Sequence, residues 1–313
     1  MYAAPVQTRT DARGGVLTDR PTGRVLAAFL LLTLVWGTTW AVIRVGLAGI
    51  PPFTGVALRF ALAGALLLGL ALHRRIGLGR SRRERALWVV NGTLSFCISY
   101  SVVYWCEQYI PSGLTSVLFA TNPLMVAGLA HLALPRERLS RGGLAGLLLG
   151  LAGVAVIFSD DLRLLGGEQV RTAAAVMLIS PAVSAASSVA IKRWGAGIHP
   201  LSLSAVPMLF CAVVMAPIAL VVERRLPVVF DARSVAALLY LAVFGSALTF
   251  TVYYWLLARV SATRASLISY LIPIVAVALG AALFAEPLRP RLLLGSALVL
   301  AGVVLVTAWR QRN

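Results

Sequence analysis

Apolar runs of about 18 to 23 residues follow one another along this chain with only short polar breaks, each long enough at about 1.5 Å per residue to cross about 30 Å of hydrocarbon. Ten such runs stand out, at 25–47, 52–72, 86–109, 113–134, 142–158, 173–191, 201–222, 235–258, 265–284 and 292–309, and they are called spans 1 to 10 here. Strict period-2 alternation is absent and the runs are rich in Leu, Ala, Val and Gly, which predicts a bundle of helices and no β-barrel. The expected fold class is an all-α integral membrane protein.

The pattern also repeats. Displacing the chain by 148 residues lays Ile43-Arg44 on Ile191-Lys192, and by 150 residues it lays Tyr104-Trp105 on Tyr254-Trp255, Ser116 on Ser266 and Pro123 on Pro273. At 149 residues Glu137 meets Glu286, and Gly146 with Ala152-Gly153-Val154 meets Gly295 with Ala301-Gly302-Val303. Each half then holds five spans, and an odd number forces the second half to enter the membrane from the opposite side. Two inverted five-helix repeats around a central cavity are expected, as in many secondary transporters. The expected organisation is a disordered tail over 1–24, a first repeat over 25–158, a linker over 159–172 and a second repeat over 173–313.

Composition agrees with the pattern: 59% of residues are hydrophobic and 12% charged, with a mean hydropathy of +0.88. The net charge of +17 would point to nucleic acid in a soluble protein. Here the basic residues cluster in alternate connections, notably Arg74 to Arg85, Arg136 to Arg141 and Lys192-Arg193, so the positive-inside rule predicts both termini in the cytoplasm and no nucleic-acid partner. The first apolar run is too long for a signal peptide. Cys97, Cys106 and Cys211 fall within spans without metal-ligand spacing, and no nucleotide-binding or metalloprotease motif is present. No cofactor or metal is expected, and no catalytic residues.

The residues that match between the halves also resemble a known family. Trp36-Gly37-Thr38-Thr39, Arg59-Phe60, the run from Tyr104 through Ser112, Ser116 and Pro123 to Glu137, and the glycine-rich stretch from Gly146 to Val154 are similar in order and spacing to the drug/metabolite transporter superfamily, with two EamA-type halves. The resemblance covers 25–309. It implies a ten-helix exporter or exchanger of amino acids, related metabolites or toxic compounds in a bacterial inner membrane, with a cavity between the halves. Pro181 and Pro207 depart from the repeat, and Arg59 falls opposite Pro207, so only one half carries an intramembrane cation.

Arg59 lies eight residues into span 2, where a charge needs a cavity or a partner. It is expected to face the cavity and bind an anionic cargo group through paired hydrogen bonds, the alternative being that it snorkels outward or braces Glu107 at the end of span 3. Trp36, Thr39 and Trp40 in span 1, Tyr100 and Tyr104 in span 3, Asn122 in span 4, and Tyr253 and Tyr254 in span 8 are the other expected substrate contacts, since aromatic and polar groups several turns inside a span do not suit an interfacial belt. Pro123 and Pro273 are expected to break or hinge spans 4 and 9. Acidic residues stand only at span ends, Glu107, Glu137 and Glu286 among them, so a deep carboxylate for a proton relay is not expected and facilitated diffusion or exchange stays open. Gly142, Gly143, Gly146, Gly150 and Gly153 give span 5 a small-residue face suited to close packing or to a homodimer. The partners are then a small-molecule substrate and membrane lipid. The competing readings are a translocase for a lipid or other phosphate-bearing amphiphile, with Arg59 on the phosphate, and an intramembrane enzyme.

Overall fold

The computed structural model describes residues 23–135, 137–157, 167–275 and 290–309. Nearly all of the tail, much of the linker, Arg136 and Glu286 lie outside those residues.

Ten apolar helical segments stand among the described residues. Seven are long apolar helices, Gly23–Leu47, Pro52–His73, Arg82–Cys106, Leu114–Ala133, Glu168–Trp194, Pro200–Val222 and Ala232–Leu257. Three are shorter, Arg141–Ile157, Ala262–Val275 and Leu293–Thr307. The all-α fold expected from hydropathy is therefore the observed one, and the helices are assembled as two repeats.

Local chemistry starts the helices in the same way in both halves. Pro52 and Pro200, 148 residues apart, each open a span at a position where a missing N–H costs nothing. Ser81 and Asp231, 150 residues apart, are the N-caps of spans 3 and 8, their side-chain oxygens accepting from Glu84 N at 3.1 Å and Ser234 N at 2.7 Å. Both of these spans then pass through a π-helical turn, at Gly92–Ile98 in one and Val243–Leu248 in the other. An inserted residue of this kind bends a helix and leaves carbonyls short of their usual partners.

Packing follows an approximate two-fold exchange of the halves. Span 2 runs along span 7 and span 5 along span 10, each pair made of repeat-related helices, while span 1 packs on span 8 as span 6 packs on span 3. The glycine face of span 5 is spent on span 10. A Cβ at Gly153 would stand 2.7 Å from Gly295 O, and one at Gly146 would stand 2.9 Å from Gly302 O. Those backbones touch because no side chain intervenes, so this face serves the internal pair.

Glu223, at the end of span 7, closes one end of the span 2 and span 7 pair. Its carboxylate accepts from Phe53 N at 2.7 Å, Thr54 N at 2.8 Å and Thr54 Oγ1 at 2.7 Å. It thus satisfies the free amides of span 2 from a neighbouring helix. On the other face Glu137, after span 4, accepts from Ala262 N at 3.1 Å where span 9 begins.

Candidate functional site

Three of the inner helices are not continuous, and the chamber lies where they break. Span 4 turns at Ala120 and Thr121 between Ser112–Phe119 and Asn122–Ala133, just before Pro123. Span 6 turns at Leu178, and Asn122 Nδ2 donates to Pro181 O at 2.9 Å just beyond. Span 9 turns at Leu267, where Tyr270 N donates to Leu267 O at 3.0 Å. That break falls six residues before Pro273, so in span 9 the proline does not mark the turn; it removes the donor that Ser269 O would otherwise meet.

Between these segments and spans 1, 3 and 8 lies a chamber of about 790 Å3, counting the space continuous with its mouth. One wall is aromatic, built from Trp36, Trp40, Tyr100, Phe250, Tyr253 and Tyr254. The rings hold one another in tilted contacts, with Trp36 5.5 Å from both Phe250 and Tyr253 and Trp40 5.5 Å from Phe119. The polar part is hydroxyl and amide, from Ser95 and Ser99 in span 3, Asn122 in span 4, Ser184 and Ser188 in span 6, and Ser266 and Ser269 in span 9, with Thr39 beside the tryptophans; aliphatic side chains, Ile43, Val103 and Ile272 among them, complete the lining. No charged side chain stands among the described residues that line it.

Most of these polar groups are already paired. Trp36 Nε1 donates to Thr249 Oγ1 at 3.1 Å, the Tyr253 hydroxyl shares a hydrogen bond with Ser188 Oγ at 3.0 Å, and Tyr254 OH donates to Asn91 Oδ1 at 3.0 Å. Trp40 differs, because its buried Nε1 has no acceptor. The chamber therefore offers a set of hydroxyls against broad aromatic faces, with one buried indole N–H in its wall that has no acceptor.

Of the nine residues expected to touch cargo, Trp36, Thr39, Trp40, Tyr100, Asn122, Tyr253 and Tyr254 line the chamber. Arg59 and Tyr104 do not, which corrects the expectation that Arg59 faces the cavity. Arg59 is fully buried behind the aromatic wall, with Nε donating to Ser246 Oγ at 2.7 Å, Nη2 to Gly245 O at 3.0 Å and Nη1 to the Tyr104 hydroxyl at 3.3 Å. Its guanidinium carbon sits 4.6 Å from the Tyr100 ring centroid, on the ring that separates it from the chamber. It thus braces the π-turn of span 8, whose Gly245 carbonyl it satisfies.

A family model for EamA-like transporters matches residues 23–159 and again 171–308, one match for each set of five spans. The chain belongs to the EamA-like transporter family. This EamA-like transporter is 30% identical over 286 residues to YedA of Escherichia coli K12, an uncharacterised inner membrane transporter, with 90% of each chain covered. It is 26% identical over 251 residues to protein PagO of Salmonella typhimurium, covering 80% of this chain and 82% of that one. A crystal structure at 21% identity superposes with a TM-score of 0.77 over 94% of this chain, which supports the fold alone.

The serines of spans 6 and 9 were not singled out from the sequence of this EamA-like transporter. Serine is tolerated in lipid, where it bonds to its own helix, so its presence in a span carries little signal. The repeat held a usable clue, since Ser266 is the counterpart of Ser116.

Proposed function

We propose that this transporter moves a small amphipathic metabolite, uncharged or zwitterionic, out of the cytoplasm across a bacterial inner membrane by alternating access, with both termini cytoplasmic. The observation that carries this is the lining of the chamber: aromatic faces, hydroxyls and one amide, with no fixed charge, enclosed between inverted halves. An ion of one sign entering such a space would lose its hydration without gaining a counter-charge. A neutral amino acid or related compound brings its own compensating charges and an apolar part for the rings. Export follows from the family resemblance.

The phosphate-bearing amphiphile was an attractive alternative only with Arg59 in the chamber. With that side chain behind Tyr100 and three of its donors taken, no cation is there to meet the phosphate. Counterflow in proteoliposomes tests the reading with labelled leucine, phenylalanine, glutamate and lysine. The neutral amino acids should exchange faster than the two charged ones, and Tyr100→Ala should slow them. Exchange of glutamate or lysine at the higher rate would overturn the proposed cargo class.

A further inference from the structure

Glu107 closes span 3 immediately after Cys106, a place where a carboxylate ordinarily meets water. It is 2% exposed, and neither carboxylate oxygen has a hydrogen-bond partner. Buried carboxylates in this protein otherwise have donors: Glu223 takes three, and Glu84 accepts from Arg80 N at 3.0 Å and from the Ser202 hydroxyl. Glu107 also continues a stripe. Ser99 and Val103 line the chamber, and Glu107 follows Val103 by one helical turn, with Glu107 N donating to Val103 O at 3.0 Å. It stands between the chamber and the outer face.

The repeat shows that the fold does not require an acid here. At an offset of 150 residues Glu107 corresponds to Leu257, which is 1% exposed. The surroundings correspond too. Arg44 Nη1 donates to Ile110 O at 3.3 Å after span 3, as Lys192 Nζ donates to Leu257 O at 2.8 Å and Val260 O at 2.7 Å after span 8. One half fills the slot with an apolar side chain, the other with a carboxyl group that has no donor.

No described cation forms an ion pair with it. Arg44 and Arg59 are the cations whose fields reach Glu107. Arg44 is exposed and directs Nη1 to Ile110 O, and Arg59 already engages Ser246, Gly245 and Tyr104. Tyr104 and Cys106 are the titratable neighbours on its own helix; on span 6, packed against span 3, Glu168 and Arg171 are exposed at the outer start and Lys192 and Arg193 lie at the far end. A carboxylate out of water with neither an ion pair nor a donor is more costly than a carboxylic acid in the same place.

We propose that Glu107 is a proton-binding site that links opening of the outer end of the chamber to proton exchange with that face. With the end closed, as here, the carboxyl holds its proton. When the end opens, the O–H bond breaks, the proton passes to water, and the carboxylate is hydrated within reach of Arg44. Closing the end again takes a proton back from the same face, so no net proton is carried, and the outer-open state is favoured as the pH on that face rises. This rests on the alternating-access reading above.

The test uses the full chain in lipid nanodiscs, with Glu107→Gln and Glu107→Leu, the latter copying Leu257. Infrared difference spectra at neutral pH should show a protonated-carboxyl band in the parent that both variants lack. Identical spectra in that region would mean that Glu107 is ionised and would overturn the site. The second measurement is labelling of Val103→Cys by a membrane-impermeant maleimide, with Cys97, Cys106 and Cys211 replaced by alanine. The ratio of its rate to that of the same chain carrying Glu107→Gln cancels the thiol's own pH dependence. That ratio should rise several-fold as pH rises. A flat ratio with the carboxyl band present would leave a buried acid without a gate and sink the coupling, while labelling from outside at no pH in either chain would sink the alternating-access reading itself.

Discussion

The end of span 3 and the end of span 8 are built on one plan and filled differently. In both, a cation from a neighbouring span reaches carbonyls just past the helix, Arg44 at Ile110 in one and Lys192 at Leu257 and Val260 in the other. In both, a π-turn lies farther up the helix at matching positions. Yet one end buries Glu107 and the other Leu257, span 2 buries Arg59 where span 7 has Pro207, and span 3 buries Asn91 where span 8 has Leu241. The caps and π-turns of spans 3 and 8 have been kept in duplicate, while these three buried polar groups belong to one copy. Under the proposed alternating access shape is shared because the two halves exchange conformations; the chemistry has no such obligation.

The largest expected effect comes from the most one-sided of these residues. Arg59→Met should leave the Ser246 hydroxyl, the Gly245 carbonyl and the Tyr104 hydroxyl without the donor they accept from, at a cost of about 3 kcal/mol. The melting temperature in detergent should fall clearly. If transport is lost with the melting temperature unchanged, Arg59 is a cargo ligand after all and its place behind the wall is irrelevant.

Asn91→Leu makes span 3 match span 8. Asn91 Nδ2 donates to Leu203 O at 2.8 Å, a carbonyl left free because Pro207 has no N–H, and its Oδ1 accepts from Ser187 Oγ at 2.9 Å and Tyr254 OH at 3.0 Å. The substitution should cost about 2 kcal/mol, and Pro207→Ala, which restores an internal partner for Leu203 O, should recover part of it. Additive losses in the double variant, measured by thermal unfolding, would deny that Asn91 and Pro207 are coupled.

Where the halves agree, the effect should be symmetric. Gly153→Ala and Gly302→Ala occupy matching places on spans 5 and 10, and each added Cβ would meet backbone at less than 3.0 Å. Each should cost about 1 to 3 kcal/mol by forcing the pair apart. Unequal losses would show that the two-fold is broken at this interface as well.

These contrasts also mark what could be read from the chain alone. Hydropathy placed the ten spans, and the near-constant offset placed the inverted repeat, because burial in lipid and duplication both act on every residue. The chamber wall was legible at Trp36, Trp40 and Tyr100 because large amphipathic rings deep in a span need a polar or wet neighbour. Arg59 was harder: position along a helix gives depth in the membrane but not which way the side chain turns, and its partners are hydroxyls and a carbonyl on span 8 that no spacing rule connects to it. Glu107 was misleading for the opposite reason. Its place at a helix end suggests water, and only the packing of spans 2 and 6 around that end removes it from solvent.

The smallest effect should lie at the duplicated caps of spans 3 and 8, Ser81 and Asp231. Asp231 is exposed, and its hydrogen bond from Ser234 N holds its carboxyl below the ordinary value of 3.8, with the Arg233 backbone and charge adding to this. A carboxyl lowered in the folded state stabilises the protein above its unfolded value and loses that contribution as pH falls through the folded one. Asp231→Ala should therefore lower the melting temperature slightly at neutral pH, and the gap to the parent should close in acid below about 3.8. Ser81→Ala should lower it by a similar amount at every pH, because a hydroxyl cap does not titrate. A gap for Asp231→Ala that persists in acid would mean that the carboxylate charge contributes nothing and that the two caps are equivalent in chemistry as well as in position.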